Sequence, residues 1–365
     1  MHTPLTNTRA RFPILALGMF ALLAAMWGGL LRLGWQFPPL APALTSIHGP
    51  LIISGFLGTL ISMERAVALR VRWAYAAPVC SALGALVLIT GVSPLVGAAL
   101  ATLGSIGTIA IYVVIVRAQP ALFTYTMALG AGMWFVGNLL WLAGLPVYRV
   151  ALWWTGFLVL TIVGERLELS RLLRLSRLSE RVYLLAVAIS IAGAVIDAVE
   201  GLAFPDEGTT FGVRVAGAGL LALALWLARY DLARRTVRQS GLTRFIAVCL
   251  LSGYFWLAVS GLLRLVSPDV TSTLMRDAIL HAVFLGFVMS MIFGHAPIIL
   301  PAVLGRAMPY RPTFYAHLVL LHLSLALRVV ADLGGDLSAR QWGGLLNVIA
   351  VLLFLFATAR AIRSG

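Results

Sequence analysis

Apolar runs about twenty residues long recur along the whole of this chain. A helix of that length, rising about 1.5 Å per residue, crosses the roughly 30 Å hydrocarbon core of a bilayer. Within lipid every backbone N–H and C=O must bond inside the chain, so such runs become helices. Twelve spans are predicted, at about 13–33, 47–69, 73–91, 93–117, 121–144, 148–168, 181–202, 211–230, 242–266, 275–300, 313–332 and 341–361. Hydrophobic residues make up 61% of the 365 and charged residues 11%, a balance that excludes a soluble domain. The fold class expected is an all-α integral membrane protein, one polytopic domain over 1–365.

The formal net charge of +14 invites a nucleic-acid reading, which the placement of the charge rejects. All basic residues are arginine, and they lie in loops and helix ends with little aromatic interleaving. That is a topology signal. With the N-terminus inside, the inner connections carry Arg70 and Arg72, Arg117, Arg171 with Arg174 and Arg177, Arg234 with Arg235 and Arg238, Arg306 with Arg311, and Arg360 with Arg363. The outer ones are poor in arginine, and one is acidic, with Asp197, Glu200, Asp206 and Glu207. Both termini are therefore expected in the cytoplasm. The apolar run after Arg9 and Arg11 is long for a signal peptide, so it is expected to remain as span one. Cys80 and Cys249 sit in apolar runs and read as free thiols.

Short motifs recur four spans apart. Span two has Gly55-Phe56-Leu57 and then Glu64-Arg65; span six has Gly156-Phe157-Leu158 and then Glu165-Arg166 at the same spacing. Span ten has Gly286-Phe287-Val288, with His295 where the glutamates stand. Spans one and nine share Gly29-Leu30-Leu31-Arg32-Leu33 and Gly261-Leu262-Leu263-Arg264-Leu265, and span five carries a weaker form from Asn138 to Leu142. The pattern predicts a pseudo-threefold array of four-helix repeats, at about 1–119, 120–240 and 241–365, all in one orientation.

Histidine is where chemistry could enter. His281 and His295 stand fourteen residues apart on one span, roughly 21 Å along a helix. Imidazole in hydrocarbon is costly and needs a partner. Aligning the Gly-Phe pairs puts His48 of span two and His281 of span ten at similar depth near the outer face. Two imidazoles so placed suit bis-histidine haem ligation. Gly49, Gly55, Gly58 and Gly286 leave room for a flat macrocycle, and Arg32 and Arg264 could meet haem propionates. The plainer reading is hydrogen bonding between helices. At the inner face, His295 with His322 and the nearby carboxylates could hold copper or zinc. His317 and His322, five apart, point about 140° away from each other, and Glu64-Arg65 and Glu165-Arg166 read equally as helix-end ion pairs. Trp153-Trp154, Trp73, Trp342 and Tyr148 read as interfacial belt residues. Asn138 and Asp197 are intramembrane polar residues with no evident partner in the sequence. His2 lies in a polar tail and has no expected role.

Twelve spans, a threefold repeat and histidines on spans two and ten resemble the catalytic subunit of haem–copper oxidases, where those two helices hold the low-spin haem. That family needs further histidines on the middle spans, and none lies between His48 and His281 here. No binuclear oxygen-reducing centre is expected. The chain more closely resembles the NnrS family, membrane proteins described as containing haem and copper and linked to nitric oxide stress. The matching residues are Arg11-Phe12-Pro13, then His48 seven before Gly55-Phe56, then His281-Ala282 with Gly286. Pro50 and Leu51 replace a second histidine and a glutamate of the family's span-two motif, which weakens a metal role there. The resemblance implies haem b at His48 and His281, leaves room for copper, and points to nitric oxide or a respiratory electron-transfer partner at a bacterial cytoplasmic membrane. A bis-histidine iron has no vacant position, which fits electron transfer or sensing better than turnover. The rival readings are a secondary transporter built from parallel repeats and a cofactor-free assembly scaffold.

Overall fold

In the computed structural model, residues 8–41, 43–170, 175–203, 210–268 and 272–363 are described. His2, Arg171, Arg174, Asp206 and Glu207 lie outside them. The described residues contain helices and no strands. We number the long helices α1 (Thr8–Arg32), α2 (Leu44–Leu69), α3 (Arg72–Thr90), α4 (Pro94–Ala118), α5 (Leu122–Leu142), α6 (Val147–Ser170), α7 (Arg177–Ala203), α8 (Phe211–Tyr230), α9 (Gly241–Val266), α10 (Thr273–Leu304), α11 (Phe314–Gly334) and α12 (Leu337–Arg363).

Among the described residues, eleven of these helices are long and apolar enough to cross a membrane. The architecture is that of an all-α, multi-pass membrane protein. The twelfth expected span, α5, falls outside that set. It is a helix of 21 residues, but Thr124, Thr126, Trp134 and Asn138 dilute its apolar character. Helix ends follow local rules. Ser93 caps α4, accepting a bond from Val96 N at 3.3 Å, with Pro94 in the first turn. Gly335 ends α11 in the left-handed region at φ 73°.

The chain forms two compact units. One comprises residues 1–157 with 299–306; the other comprises 158–298 with 307–365. In the first, α1 packs on α2 and α3, α3 packs on α4, and α4 packs on α5. Its core holds Ala21, Ala25, Leu44, Leu51 and Leu88 in one cluster, and Ile14, Met63, Tyr75 and Ile111 in another. In the second, α7 pairs with α8, α8 with α9, and α11 with α12, while α10 meets both α9 and α11. Trp256, Ala278, Ala282, Leu325 and Val329 cluster there.

Two helices are not regular. In α2 the residues Leu51–Gly58, and in α10 the residues Ala282–Met289, wind as π-helix. Gly-Phe occupies the fifth and sixth places of both segments, as Gly55-Phe56 and Gly286-Phe287. A π-turn widens the helix and loosens its backbone bonding, and it often marks a functional place. The third copy of the motif, Gly156-Phe157 in α6, is ordinary α-helix. The irregular helices are therefore the two that carry a histidine next to the π segment, His48 three residues before it and His281 immediately before it.

Candidate functional site

His48 lies in the first unit, where α1 and α2 touch. Its Nδ1 is 2.6 Å from the carbonyl oxygen of Ala25. A carbonyl only accepts, so Nδ1 carries the proton and the ring's lone pair is on Nε2. The ring rests on Gly29: a Cβ there would stand 3.0 Å from the imidazole Cε1. One helical turn further along α1, Arg32 Nη1 donates to the carbonyl of Thr45 at 3.0 Å. Thr45 precedes His48 by about one turn of α2, so Arg32 and His48 share one helix contact.

His281 lies in the second unit and has a different backing. Its Nδ1 donates to the carbonyl oxygen of Asp277 at 2.9 Å and stands 3.4 Å from the Asp277 carboxylate. That carboxylate is gripped by Arg328 through Nε and Nη2, at 2.7 and 2.9 Å. Arg340 reaches it at 3.3 Å and also binds Asp332 at 2.8 Å. Two carboxylates and two guanidinium groups thus form a largely buried ionic cluster behind one imidazole. Here too the lone pair falls on Nε2. A histidine whose Nδ1–H is held by a carbonyl or carboxylate is the usual form of a metal-ligating imidazole.

Arg264, the other residue expected to meet a propionate, is buried, at 3% exposure. It packs against Gly217 of α8, and Asp197 of α7 is the charge that acts on it. Its Nε and Nη2 have no hydrogen-bond partner among the described residues.

The inner histidines divide. His295 Nδ1 bonds the Met291 carbonyl at 2.7 Å within its own helix. His322 Nδ1 accepts from Trp256 Nε1 at 3.0 Å, and its Nε2 lies 3.4 Å from the Ser290 hydroxyl. That hydroxyl donates to the Gly286 carbonyl, at 2.7 Å, inside the π segment. His322 therefore spends its lone pair on Trp256 and its proton on Ser290, and it ties α11 to α9 and α10. In this arrangement both ring nitrogens of His322 have a neighbour within hydrogen-bond distance. Among the described residues no three His, Cys, Asp or Glu side chains gather as a metal site. His317 is buried against the rings of Phe245, Phe293, Phe314 and Phe354.

Other expectations are settled by single contacts. Arg166 forms a bidentate pair with Asp231, at 2.8 and 3.1 Å, and Arg65 meets the adjacent Glu64 at 3.4 Å. Both cysteines are free. Trp73 and Trp342 are exposed, as belt residues should be, but Trp153 and Trp154 are buried. Trp154 instead donates to Asn138 Oδ1 at 3.0 Å, which also accepts from Ser54 at 3.0 Å, while Asn138 Nδ2 reaches the Ala101 carbonyl at 3.2 Å. Asn138 is thus the hub of a buried network joining α2, α4, α5 and α6. The Asp277 cluster was also missed by the sequence reading. Its one local signal is the i,i+4 spacing of Asp277 and His281; Arg328 lies 51 positions from Asp277.

No curated protein matches this chain. A family model covers residues 11–363, nearly its whole length, and the chain belongs to that family, described as "Domain of unknown function (DUF8744)".

Proposed function

We propose that this chain is a haem-binding membrane protein, in which His48 and His281 would hold a b-type haem. The observation that carries the reading is the shared tautomer: both histidines adjoin a π segment, and both give Nδ1–H to a backbone carbonyl, which presents Nε2 for coordination. Bound haem would supply one-electron redox chemistry or, with one imidazole released, a place for nitric oxide. The chain's own residues have distinct parts. Asp277, held by Arg328 and Arg340, fixes the plane and the tautomer of the His281 ring. Arg32 and the buried guanidinium of Arg264 are suited to carboxylates such as propionates. On this reading α5 is a twelfth span, the helices form a pseudo-threefold array of four-helix repeats, and both termini are cytoplasmic in a bacterial inner membrane. The function belongs, like that of the NnrS proteins the sequence resembles, to nitric oxide stress or respiratory redox.

The transporter reading gains one observation, since buried ionisable groups in spanning helices mark ion or substrate paths, and the cluster around Asp277 is such a group. A reduced-minus-oxidised visible spectrum of the purified, haem-replete protein separates the two. The haem reading expects a sharp low-spin band in the wild type, lost or turned high-spin in both His48→Ala and His281→Ala. A featureless wild-type spectrum would leave the transporter standing.

A further inference from the structure

The arginine-rich segment after α8 has a role outside the histidine chemistry. In the second unit a cavity of about 550 Å³ is lined by Leu175, Ser176, Arg229, Tyr230, Asp231 and three more arginines, Arg234, Arg235 and Arg238. Asp231 is its one carboxylate, and both its oxygens are already taken by buried Arg166, with Oδ1 also accepting from Ala233 N at 2.6 Å. The four lining arginines are exposed and enter no ion pair among the described residues. Arg229 lies 5.2 Å from the Tyr230 ring, and Arg234 Nη1 donates to the Arg229 carbonyl at 3.0 Å, so two of the four are held in place with other N–H groups to spare. Ser176 caps the start of α7, accepting from Ser179 N at 3.2 Å, so this 27-residue helix adds its positive end to the same cavity.

We propose that this cavity binds the phosphate of an anionic phospholipid. Four guanidinium groups with no ion pair among the described residues, in a pocket of this size, suit a phosphorylated headgroup, because planar forks bind phosphate oxygens in pairs. The helix that starts at the pocket decides between lipid and free phosphate. Immediately beyond Ser176, α7 exposes Leu178, Val182 and Leu185, one apolar stripe at helical spacing along which acyl chains can lie. A soluble phosphate has no use for that stripe.

Native mass spectrometry of the full chain in a neutral detergent, titrated in parallel with phosphatidylglycerol, phosphatidylcholine and inorganic phosphate, tests this. The expected result is a phosphatidylglycerol adduct at least tenfold tighter than the phosphatidylcholine one, with inorganic phosphate unable to displace it at matched concentration. Each arginine lost should weaken binding roughly fivefold, so the triple variant R234Q/R235Q/R238Q should lose on the order of a hundredfold. The matching triple lysine variant should keep most of the preference, and R360Q/R363Q in α12 should keep all of it. Should the glutamine triple fail to fold, R238Q and a salt titration of the wild type carry the test, with affinity expected to fall as screening rises. Equal binding of the two lipids, affinity indifferent to both R238Q and salt, or a phosphate adduct as tight as the phosphatidylglycerol one would each overturn the assignment.

Discussion

In α2 the imidazole of His48 packs on Gly29 and bonds the Ala25 carbonyl; in α10 that of His281 stands beside a carboxylate clamped by two arginines. The helices are otherwise alike, each with a π segment carrying Gly-Phe in the same register. The difference lies in what stands behind the ring. A carbonyl fixes the tautomer. A charged carboxylate also raises the basicity of the ring and so strengthens its bond to a cationic metal. On the proposed haem reading, His281 would be the more firmly oriented of the two ligands.

The largest effect should come from breaking the charged backing. Asp277→Ala leaves Arg328 and Arg340 buried without their shared acceptor, at a cost of about 3–5 kcal/mol. Thermal unfolding in detergent should show it as a large drop in melting temperature, and Asp277→Asn should recover part of the loss. A melting temperature unchanged by Asp277→Ala would show that the cluster supports nothing. Next comes the neutral network of the first unit. Asn138→Ala strands the Trp154 N–H and the Ser54 hydroxyl at a buried site, for about 1–3 kcal/mol in the same assay; a neutral result would mean the network is satisfied otherwise. The smallest effect sharpens the comparison on the His48 side. Gly29→Ala puts a methyl within 3.0 Å of the ring, which must tilt. The stability cost should be about 1 kcal/mol, while haem retention after gel filtration should fall. Retention equal to wild type would separate Gly29 from the ligand's geometry.

The contrast between the two helices also shows which features the sequence could reveal. The spans were legible because apolar length is a one-dimensional property, and α5 fell short because Asn138 and its polar neighbours serve a network that only packing reveals. The Gly-Phe register was legible, and it recurs as two π segments; nothing in the motif told α2 and α10 from α6, where the same pair sits in regular helix. Trp154 read as a belt residue because a tryptophan near a span end has that prior, yet its N–H is buried on Asn138. The bond between His322 and Trp256, 66 positions apart, left no mark in the sequence. The backing of His281 could be half seen, since Asp277 is one helical turn earlier, but the arginines that hold the carboxylate come from two other helices. Contacts one turn apart leave a mark in sequence; contacts between helices do not.

Electron paramagnetic resonance of the oxidised, haem-replete protein tests the central claim most directly. The account predicts a low-spin ferric signal of the bis-imidazole kind in the wild type, converted to a high-spin signal in His48→Ala and in His281→Ala alike. A low-spin signal that survives either substitution, or a protein that takes up no haem at all, would contradict it.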